Sequence, residues 1–372
     1  MFSKFKSEND GRRLTFDIAD VDVSVVNAIR RVVTAEIPNM AIAFDPYNPK
    51  NSDIVFTANT SAINNEILGL RISLVPVQYE QEDIDNPVNY KFRIKKKNTG
   101  SEAVDITTND IQGYDEDGDP IPVKRMQSIF PVDAFTKDPI ILTRLKPNMY
   151  NSDLGEELDV EFGARIGIAV DHARWSPISQ CAYFNTVDEA AADEAFKNRT
   201  NKQQTRKDFD VLDRDRCYLK NAFDEPNKFT FTIESECRLT PTYLFSKAID
   251  VLVGKLDTLT QQPNKYTVET LGNMNMFAVT ITKENHTIGN LLQAQVYNLM
   301  RGKGVDYIGY TLPHPLEDDI VVKVKLDTDV YPDVDAMFYD AIPKITHLLK
   351  NIQLEFARST SKPSKPIVKK TK

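Results

Sequence analysis

Leu14-Thr15-Phe16-Asp17-Ile18-Ala19-Asp20-Val21-Asp22-Val23-Ser24-Val25-Val26-Asn27-Ala28-Ile29 reappears in outline 263 residues later, as Phe277-Ala278-Val279-Thr280-Ile281-Thr282-Lys283-Glu284-Asn285-His286-Thr287-Ile288-Gly289-Asn290-Leu291-Leu292. Leu14, Phe16 and Ile18 alternate as Phe277, Val279 and Ile281 do, the period of a half-buried strand. Ser24 aligns with Thr287, Asn27 with Asn290 and Ile29 with Leu292. A hydroxyl at Ser24 or Thr287 suits the N-cap of the helix that follows, because it accepts from the free amides of the first turn. Each segment therefore reads as strand, short polar turn and capped helix. The first helix carries Val26, Ile29, Val33 and Ile37 on one face, with Asn27, Arg30, Arg31 and Thr34 on another. In the second, Ile288, Leu291, Leu292, Val296 and Leu299 form the stripe.

Outward from the second copy, the pattern predicts strands over Tyr266 to Leu271 and Asn275 to Thr282, then a helix over Thr287 to Met300 stopped by Gly302 and Gly304. Strands over Val305 to Leu312 and Asp319 to Leu326 follow. A last helix after Asp333 places Val334, Phe338, Ala341, Ile345, Leu348, Ile352 and Phe356 on one stripe, and Pro343 should kink or break it. Two strands, helix, two strands, helix make one sheet with both helices on a single face. Just before this unit, Thr240 caps and Pro241 opens another helix, striped by Phe245, Ile249, Leu252, Leu256 and Leu259. Each stripe needs a cover, and pairing the two helices would bury both. A short linker over 261–265 would hold one module near the other at an effective concentration in the millimolar range.

Between the two ends, from 78 to 227, the strand-helix pattern breaks. Strands over Tyr90 to Lys95, Glu102 to Thr107 and Leu158 to Val170, joined by polar turns, predict an inserted β-rich domain. Asp115-Glu116-Asp117-Gly118-Asp119 lacks the alternating ligands and terminal Glu of a calcium loop and reads as a solvated hairpin turn. Val187 to Arg216, rich in mixed charge, reads as an exposed helix or a mobile loop.

Composition narrows the function. Over 372 residues, 41% hydrophobic and 27% charged residues predict a folded globular chain. A formal charge of −8 has the wrong sign for holding nucleic acid through phosphate contacts, so any such role should be indirect. The basic end, 359–372, with Lys362, Lys365, Lys369, Lys370 and Lys372 between Pro363 and Pro366, reads as a solvated, disordered tail. No apolar run reaches signal-peptide or membrane-span length, which predicts a soluble protein of a cytosolic compartment. Cys181, Cys217 and Cys237 are isolated, and His172, His286, His314 and His347 are scattered, so no metal and no cofactor are expected. Phosphate loops and nucleophile-elbow or zinc-protease motifs are missing, and no catalytic residue is assigned.

Five stretches together resemble one family. Val26-Asn27-Ala28-Ile29-Arg30-Arg31 with Glu36-Ile37-Pro38 is similar to the first dimerisation helix of the bacterial polymerase alpha subunit, the archaeal D subunit and the third-largest subunit of eukaryotic RNA polymerase II. Ile67-Leu68-Gly69-Leu70-Arg71-Ile72-Ser73-Leu74-Val75-Pro76 resembles the family's second helix and turn, and His172-Ala173-Arg174-Trp175-Ser176-Pro177 the segment closing the inserted domain. Asn285 to Leu292 and Gly309-Tyr310-Thr311-Leu312-Pro313-His314-Pro315-Leu316 resemble the smaller, archaeal L-type partner.

The resemblance implies an α+β protein in which a D-type module (1–77 and 228–260) and an L-type module (266–358) form an intramolecular pseudo-dimer, with the β-rich insert between. It implies a non-catalytic assembly platform for the two large catalytic subunits of a multisubunit RNA polymerase, with small polymerase subunits alongside. Arg30, Arg31, Arg71, Pro76, His172, Arg174 and Trp175 would face a large subunit, although Trp175 suits a core equally well. Asn27, Phe245, Ile249, Leu252, Leu256, Gly289, Asn290, Leu291, Ile345, Leu348 and Ile352 would join the modules. The cysteine cluster of many family members is missing from the insert, which is a further reason to expect no metal. Two modules on one chain resemble the compact enzyme of a large DNA virus, which implies a cytoplasmic protein, packaged in the virion, with the nucleus as the other location. Two other readings are a stand-alone binder that applies its basic tail to nucleic acid, and an enzyme that uses the insert's carboxylates with His172.

Overall fold

The computed structural model describes residues 1–85, 90–151, 154–200, 202–262, 265–272 and 275–361. It opens with β1 (Phe2–Glu8), β2 (Arg13–Ala19) and α1 (Val23–Ala35). Next come β3 (Asn39–Ala41), β4 (Ile54–Asn59), α2 (Asn65–Ser73), α3 (Gln81–Asp85), β5 (Lys91–Lys97), β6 (Val104–Thr107), β7 (Gln112–Tyr114), α4 (Val123–Ile129), β8 (Ile141–Leu145), β9 (Glu157–Gly163) and β10 (Arg165–Gly167). The chain continues through β11 (Ile178–Asn185), α5 (Glu189–Asn198), α6 (Arg206–Leu212), β12 (Lys228–Ser235) and α7 (Pro241–Gln261). It closes with β13 (Tyr266–Leu271), β14 (Met276–Thr282), α8 (His286–Met300), β15 (Val305–Thr311), β16 (Asp319–Leu326) and α9 (Val334–Thr360).

These elements form two compact units. One holds Met1–Glu36, Ile178–Glu234 and the chain from Thr240 onward; the other holds Ile37–Pro177 and Ser235–Leu239. The first contains two four-stranded sheets of the same order, β1-β2-β12-β11 and β13-β14-β16-β15. The repeat read from the sequence is thus a repeat of topology. β2 and β14 start 263 residues apart, as do α1 and α8. Their terminal helices match at a shift of 93, from the cap Thr240 to the cap Asp333. Under that shift buried Leu244, Phe245, Ala248, Ile249, Leu252, Leu256 and Leu259 fall on buried Met337, Phe338, Ala341, Ile342, Ile345, Leu349 and Ile352.

This division differs from the sequence reading. The D-type module was expected to run to 77 and the insert from 78 to 227. Instead the first unit's leading segment ends at Glu36 and its chain resumes at Ile178. β11 lies at the edge of the first sheet, the position β15 holds in the second. Its half-exposed run, Ile178-Ser179-Gln180-Cys181-Ala182-Tyr183-Phe184-Asn185, lacks the alternation that announces a strand. α2, whose sequence resembles the family's second helix, belongs to the other unit.

The caps also moved. Asp22 accepts from the amide of Ser24, and Asn285 from the amide of Thr287 at 2.8 Å, so the two hydroxyl residues stand inside their helices. Both caps shifted by the same two residues, and the repeat survives intact. Pro343 neither ends nor splits α9. The proline is exposed, and buried Ala341, Ile342, Ile345 and Leu349 on both sides of it hold the helix down against a penalty of about 3 kcal/mol. The charged stretch after β11 resolves into α5 and α6, joined by Phe196 and Phe209 with ring centroids 5.4 Å apart.

The second unit is β-rich. Its main sheet, β4-β9-β5-β7, is accompanied by the pairs β6-β8 and β3-β10. Phe92, Ile94, Phe130, Val160 and Phe162 form its core. The acidic stretch is a turn: the Asp115 carboxylate accepts from the amides of Asp117 and Asp119 at 3.1 and 2.8 Å, and Gly118 takes φ +87°. Among the described residues no helix is long and apolar enough to cross a membrane, and no three His, Cys, Asp or Glu side chains gather at a possible metal site. Residues 263–264 of the expected linker and 362–372 of the expected tail lie outside the described residues.

Candidate assembly interface

Within the first unit, α1 packs against α8 and α7 against α9. α1 buries Val25, Val26, Ile29, Val32 and Val33, whereas α8 buries Ile288, Leu291, Leu292 and Val296. Polar contacts set how the two helices meet. Arg31 Nε donates to Thr287 Oγ1 at 2.9 Å, and Gln295 Nε2 donates to Ser24 Oγ at 3.0 Å. Asn298 Nδ2 donates to Asp22 Oδ2 at 3.2 Å, and Asn285 Nδ2 reaches Glu36 Oε1 at 3.5 Å. Ser24 and Thr287 are equivalent in the repeat, as are Asp22 and Asn285. Each receives or makes a contact with a side chain well along the opposite helix, so α1 and α8 run antiparallel about a pseudo-twofold axis. This is the reciprocal pattern of an isologous interface.

α7 and α9 extend the junction. Phe356 is 1% exposed, and its ring lies 4.2 Å from Phe245, 5.2 Å from both Phe2 and Phe16, and 5.9 Å from Phe5. It sits one turn beyond the α9 residues that have counterparts in α7, and it completes a core built by the first sheet. Gln353 Nε2 ties the helices by donating to the Ser246 carbonyl at 3.0 Å and to Asp250 Oδ1 at 2.8 Å.

A buried charge cluster lies at one end. Lys255 Nζ is 2.7 Å from Glu36 Oε2 and 3.1 Å from Glu284 Oε2, and Lys265 Nζ is 3.5 Å from Glu284 Oε1. The glutamates are 7% and 4% exposed. Burial alone would lower the Lys255 pKa, but the two carboxylates outweigh it and hold the ammonium above its ordinary value. Lys255 itself is half-buried, and the buried carboxylates beside it become costly when their ammonium is removed, by about 3–5 kcal/mol.

The residues assigned to the module junction divide into two groups. Phe245, Ile249, Leu252, Leu256, Leu291, Ile345 and Ile352 are buried on the packed helices. Leu348 is half-buried, and Leu349 takes the inner position. Asn27 accepts instead from Arg30 Nε of its own helix at 3.0 Å. Gly289 serves its own module, since a Cβ there would lie 2.5 Å from the Tyr310 ring of β15. Asn290 is half-buried on the same helix.

The residues assigned to a large subunit also divide. Arg31 is spent on Thr287 at the junction. Arg30 is half-buried near Cys181 and Tyr183; burial pushes the Cys181 thiol up to about 12, and the Arg30 charge opposes that rise. In the second unit Arg71 and Pro76 are exposed, and Arg71 Nη2 donates to the Ile141 carbonyl at 2.8 Å. Around Arg71, α2 exposes Ile67 and Leu70 and its C-cap Leu74 is exposed too, with Ile140 and Ile141 exposed at the start of the adjoining β8. His172 is exposed, and its Nδ1 accepts from the Arg174 amide at 3.1 Å. Burial, and then the Arg174 charge, holds the His172 pKa below its ordinary value. Arg174 donates to the carbonyls of Ile42 and Phe44 at 3.0 and 3.2 Å. Trp175 is a core residue: its Nε1 donates to the Arg165 carbonyl at 3.2 Å, and its ring occupies the space where a Cβ on Gly167 would be, 2.5 Å away. Of the two uses open to this tryptophan, the structure has the core.

Sequence reasoning missed Phe2, Phe5, Glu36, Lys255, Glu284, Gln295 and Gln353. Phe2 and Phe5 are three apart, off the two-residue strand period, and a bulge in β1 between Ser3 and Lys6 lets both reach the same core. The charged and amide residues gave no readable sign.

The comparisons agree with this geometry. The family model described as the RNA polymerase Rpb3/Rpb11 dimerisation domain matches residues 15–256, and a second model of the same description matches 277–355. DNA-directed RNA polymerases IV and V subunit 3B of Arabidopsis thaliana is 26% identical over 67% of this chain and 87% of its own length. DNA-directed RNA polymerases I and III subunit RPAC1 of Saccharomyces cerevisiae is 25% identical over 69% and 86%, and DNA-directed RNA polymerase subunit Rpo3 of Methanobrevibacter smithii 26% over 68% and 94%. Two sheets of one strand order, each with a long apolar helix packed against the other's, are accounted for by those two matches: the chain belongs to the RNA polymerase Rpb3/Rpb11 dimerisation-domain family and carries two such domains in tandem.

Proposed function

We propose that this chain is a non-catalytic assembly subunit of a multisubunit DNA-directed RNA polymerase, with a D-type and an L-type domain fused so that they pair within one polypeptide. The observation that carries the reading is the reciprocal α1–α8 contact set together with Phe356, which the second domain lends to the first domain's core. Helices that dimerise between chains in a two-chain platform are here used internally. What remains outward is assigned to partners. In the first unit Arg30, and separately in the second unit Arg71, Pro76 and His172 with the apolar Ile67, Leu70 and Leu74, are the contacts for the two large catalytic subunits, and small polymerase subunits join alongside. An apolar patch with an arginine at its centre suits a stable protein interface.

Nucleic acid would be met only through those partners, given a net charge of −8. One chain in place of two fits the compact enzyme of a large DNA virus acting in the cytoplasm. Affinity purification from the native source, with the co-purifying chains identified, tests the function. Recovery of two large polymerase subunits supports it, and recovery of the chain alone or with unrelated enzymes overturns it.

A further inference from the structure

The pseudo-twofold relation raises a question of choice. Two domains of one topology, with matching helices and matching hydroxyl and cap contacts, could each pair with a like domain of a second copy. Along their shared length the apolar stripes do not discriminate, because the buried positions of α7 and α9 coincide as far as Leu259 and Ile352; Phe356 lies beyond them and has no counterpart in α7. The reciprocal contacts do not either, because Ser24 and Thr287 both offer a hydroxyl.

Besides Phe356, the charge cluster breaks the symmetry. Its four residues have apolar counterparts. By the 263-residue shift Glu36 corresponds to Leu299 and Glu284 to Val21; by the 93-residue shift Lys255 corresponds to Leu348. Lys265 corresponds to Met1, because the carbonyls of both accept from the last residue of the neighbouring strand, Thr282 and Ala19. In the pairing within this chain, Glu36 and Lys255 of the first domain meet Glu284 and Lys265 of the second, so charge meets charge. The opposite, pseudo-equivalent end is left with Met1, Val21, Leu299 and Leu348. Pairing like with like would undo this sorting. Two second domains would set Glu284 against Leu348 and Leu299 at both ends, and two first domains would set Lys255 and Glu36 against Val21 and Met1. Each domain would keep its own pair, Glu36–Lys255 at 2.7 Å or Glu284–Lys265 at 3.5 Å, but the ion pair that crosses, Lys255–Glu284 at 3.1 Å, would be lost and the charges set against apolar surface, losing solvation with no new partner in return.

We propose that the Glu36–Lys255–Glu284–Lys265 cluster is the specificity determinant that makes the two domains choose each other over a second copy of themselves. The proposal rests on the internal pairing and adds what enforces it. The test uses the full chain with a protease site inserted between Gln262 and Lys265, cut after purification, so that the tether no longer masks the choice. Native mass spectrometry then counts paired large and small fragments against like pairs and free fragments. The wild-type protein stays one to one. Lys255→Glu and Glu284→Lys each lower that share by about tenfold or more, the scale of a lost interfacial charge pair. The chain with both reversals places two carboxylates opposite two ammonium groups and returns to within about twofold of wild type.

A purely structural role would make the two reversals add, so a double variant no better than the worse single one overturns the proposal, as do single variants that keep the wild-type share. Should a reversal prevent folding, Lys255→Met and Glu284→Gln provide milder variants, with the same loss expected and the same refutation if the share does not change. Separation of the cut wild-type fragments would refute the internal pairing itself, and the proposal with it.

Discussion

Removing the Phe356 ring should unlock the two domains while leaving the other compact unit alone. The side chain is 1% exposed and lies among Phe2, Phe5, Phe16 and Phe245, the nearest ring centroid 4.2 Å away. Truncating such a residue costs about 3–5 kcal/mol in transfer and cavity terms together. Neighbours on β1 and the end of α9 have some room to relax, which places Phe356→Ala at about 4 kcal/mol. With a urea slope of about 3 kcal/mol per molar, expected at this size, the midpoint falls by about 1.3 M. Two probes separate the units. Helical circular dichroism is dominated by α7, α8 and α9, all in the first, whereas fluorescence comes from Trp175, the sole tryptophan, in the second. The dichroism transition should move and the Trp175 transition stay. A loss below about 1 kcal/mol, or equal movement of both probes, would refute the assignment of Phe356 as the anchor of the domain junction.

Lys255→Met leaves buried Glu36 without its ammonium and Glu284 with Lys265 alone, and should cost about 3–5 kcal/mol in chemical denaturation; a change under 1 kcal/mol would contradict the paired cluster. Because the folded-state pKa of Lys255 is raised, its contribution is fully present below the unfolded value of about 10.4 and is lost as pH rises through the folded value. Melting temperatures of the wild type should therefore fall through that alkaline window more steeply than those of Lys255→Met. Gly289→Ala forces a Cβ against Tyr310 and should lose about 1–3 kcal/mol, partly recovered in the double variant with Tyr310→Ala; a neutral single variant would contradict the close packing. Arg30→Glu with Arg71→Glu should reduce recovery of a large subunit in co-purification without moving the melting temperature, whereas Arg31→Glu should lower the melting temperature; the reverse pattern would exchange their roles.

Much of the fold was legible because it rests on periodicity. The strands β13 to β16, the Thr240–Pro241 helix start and the 263-residue repeat are statements about apolar spacing. β11 was hidden because its residues are half-exposed without alternation, and with it went the boundaries of the insert. The caps were read two residues late because Asp22 and Asn285 compete with nearby hydroxyls that are as well suited in isolation. The charged half of the junction was unreadable, since Glu36 meets Lys255 across more than two hundred residues, and no apolar spacing announces the shorter-range Lys255–Glu284 pair. Arg31 and Trp175 show the limit of reading by residue type: both suit an external partner, and both are used inside their own units.

In the proposed fusion one polypeptide does the work of a two-chain platform. The direct measurement is the subunit stoichiometry of the intact polymerase purified through a tag on this chain, by native mass spectrometry. One copy of this chain with two large subunits, and no separate chain carrying a dimerisation domain of this family, is the expected result. Two copies per enzyme, or a separate small dimerisation partner bound to this one, would contradict it.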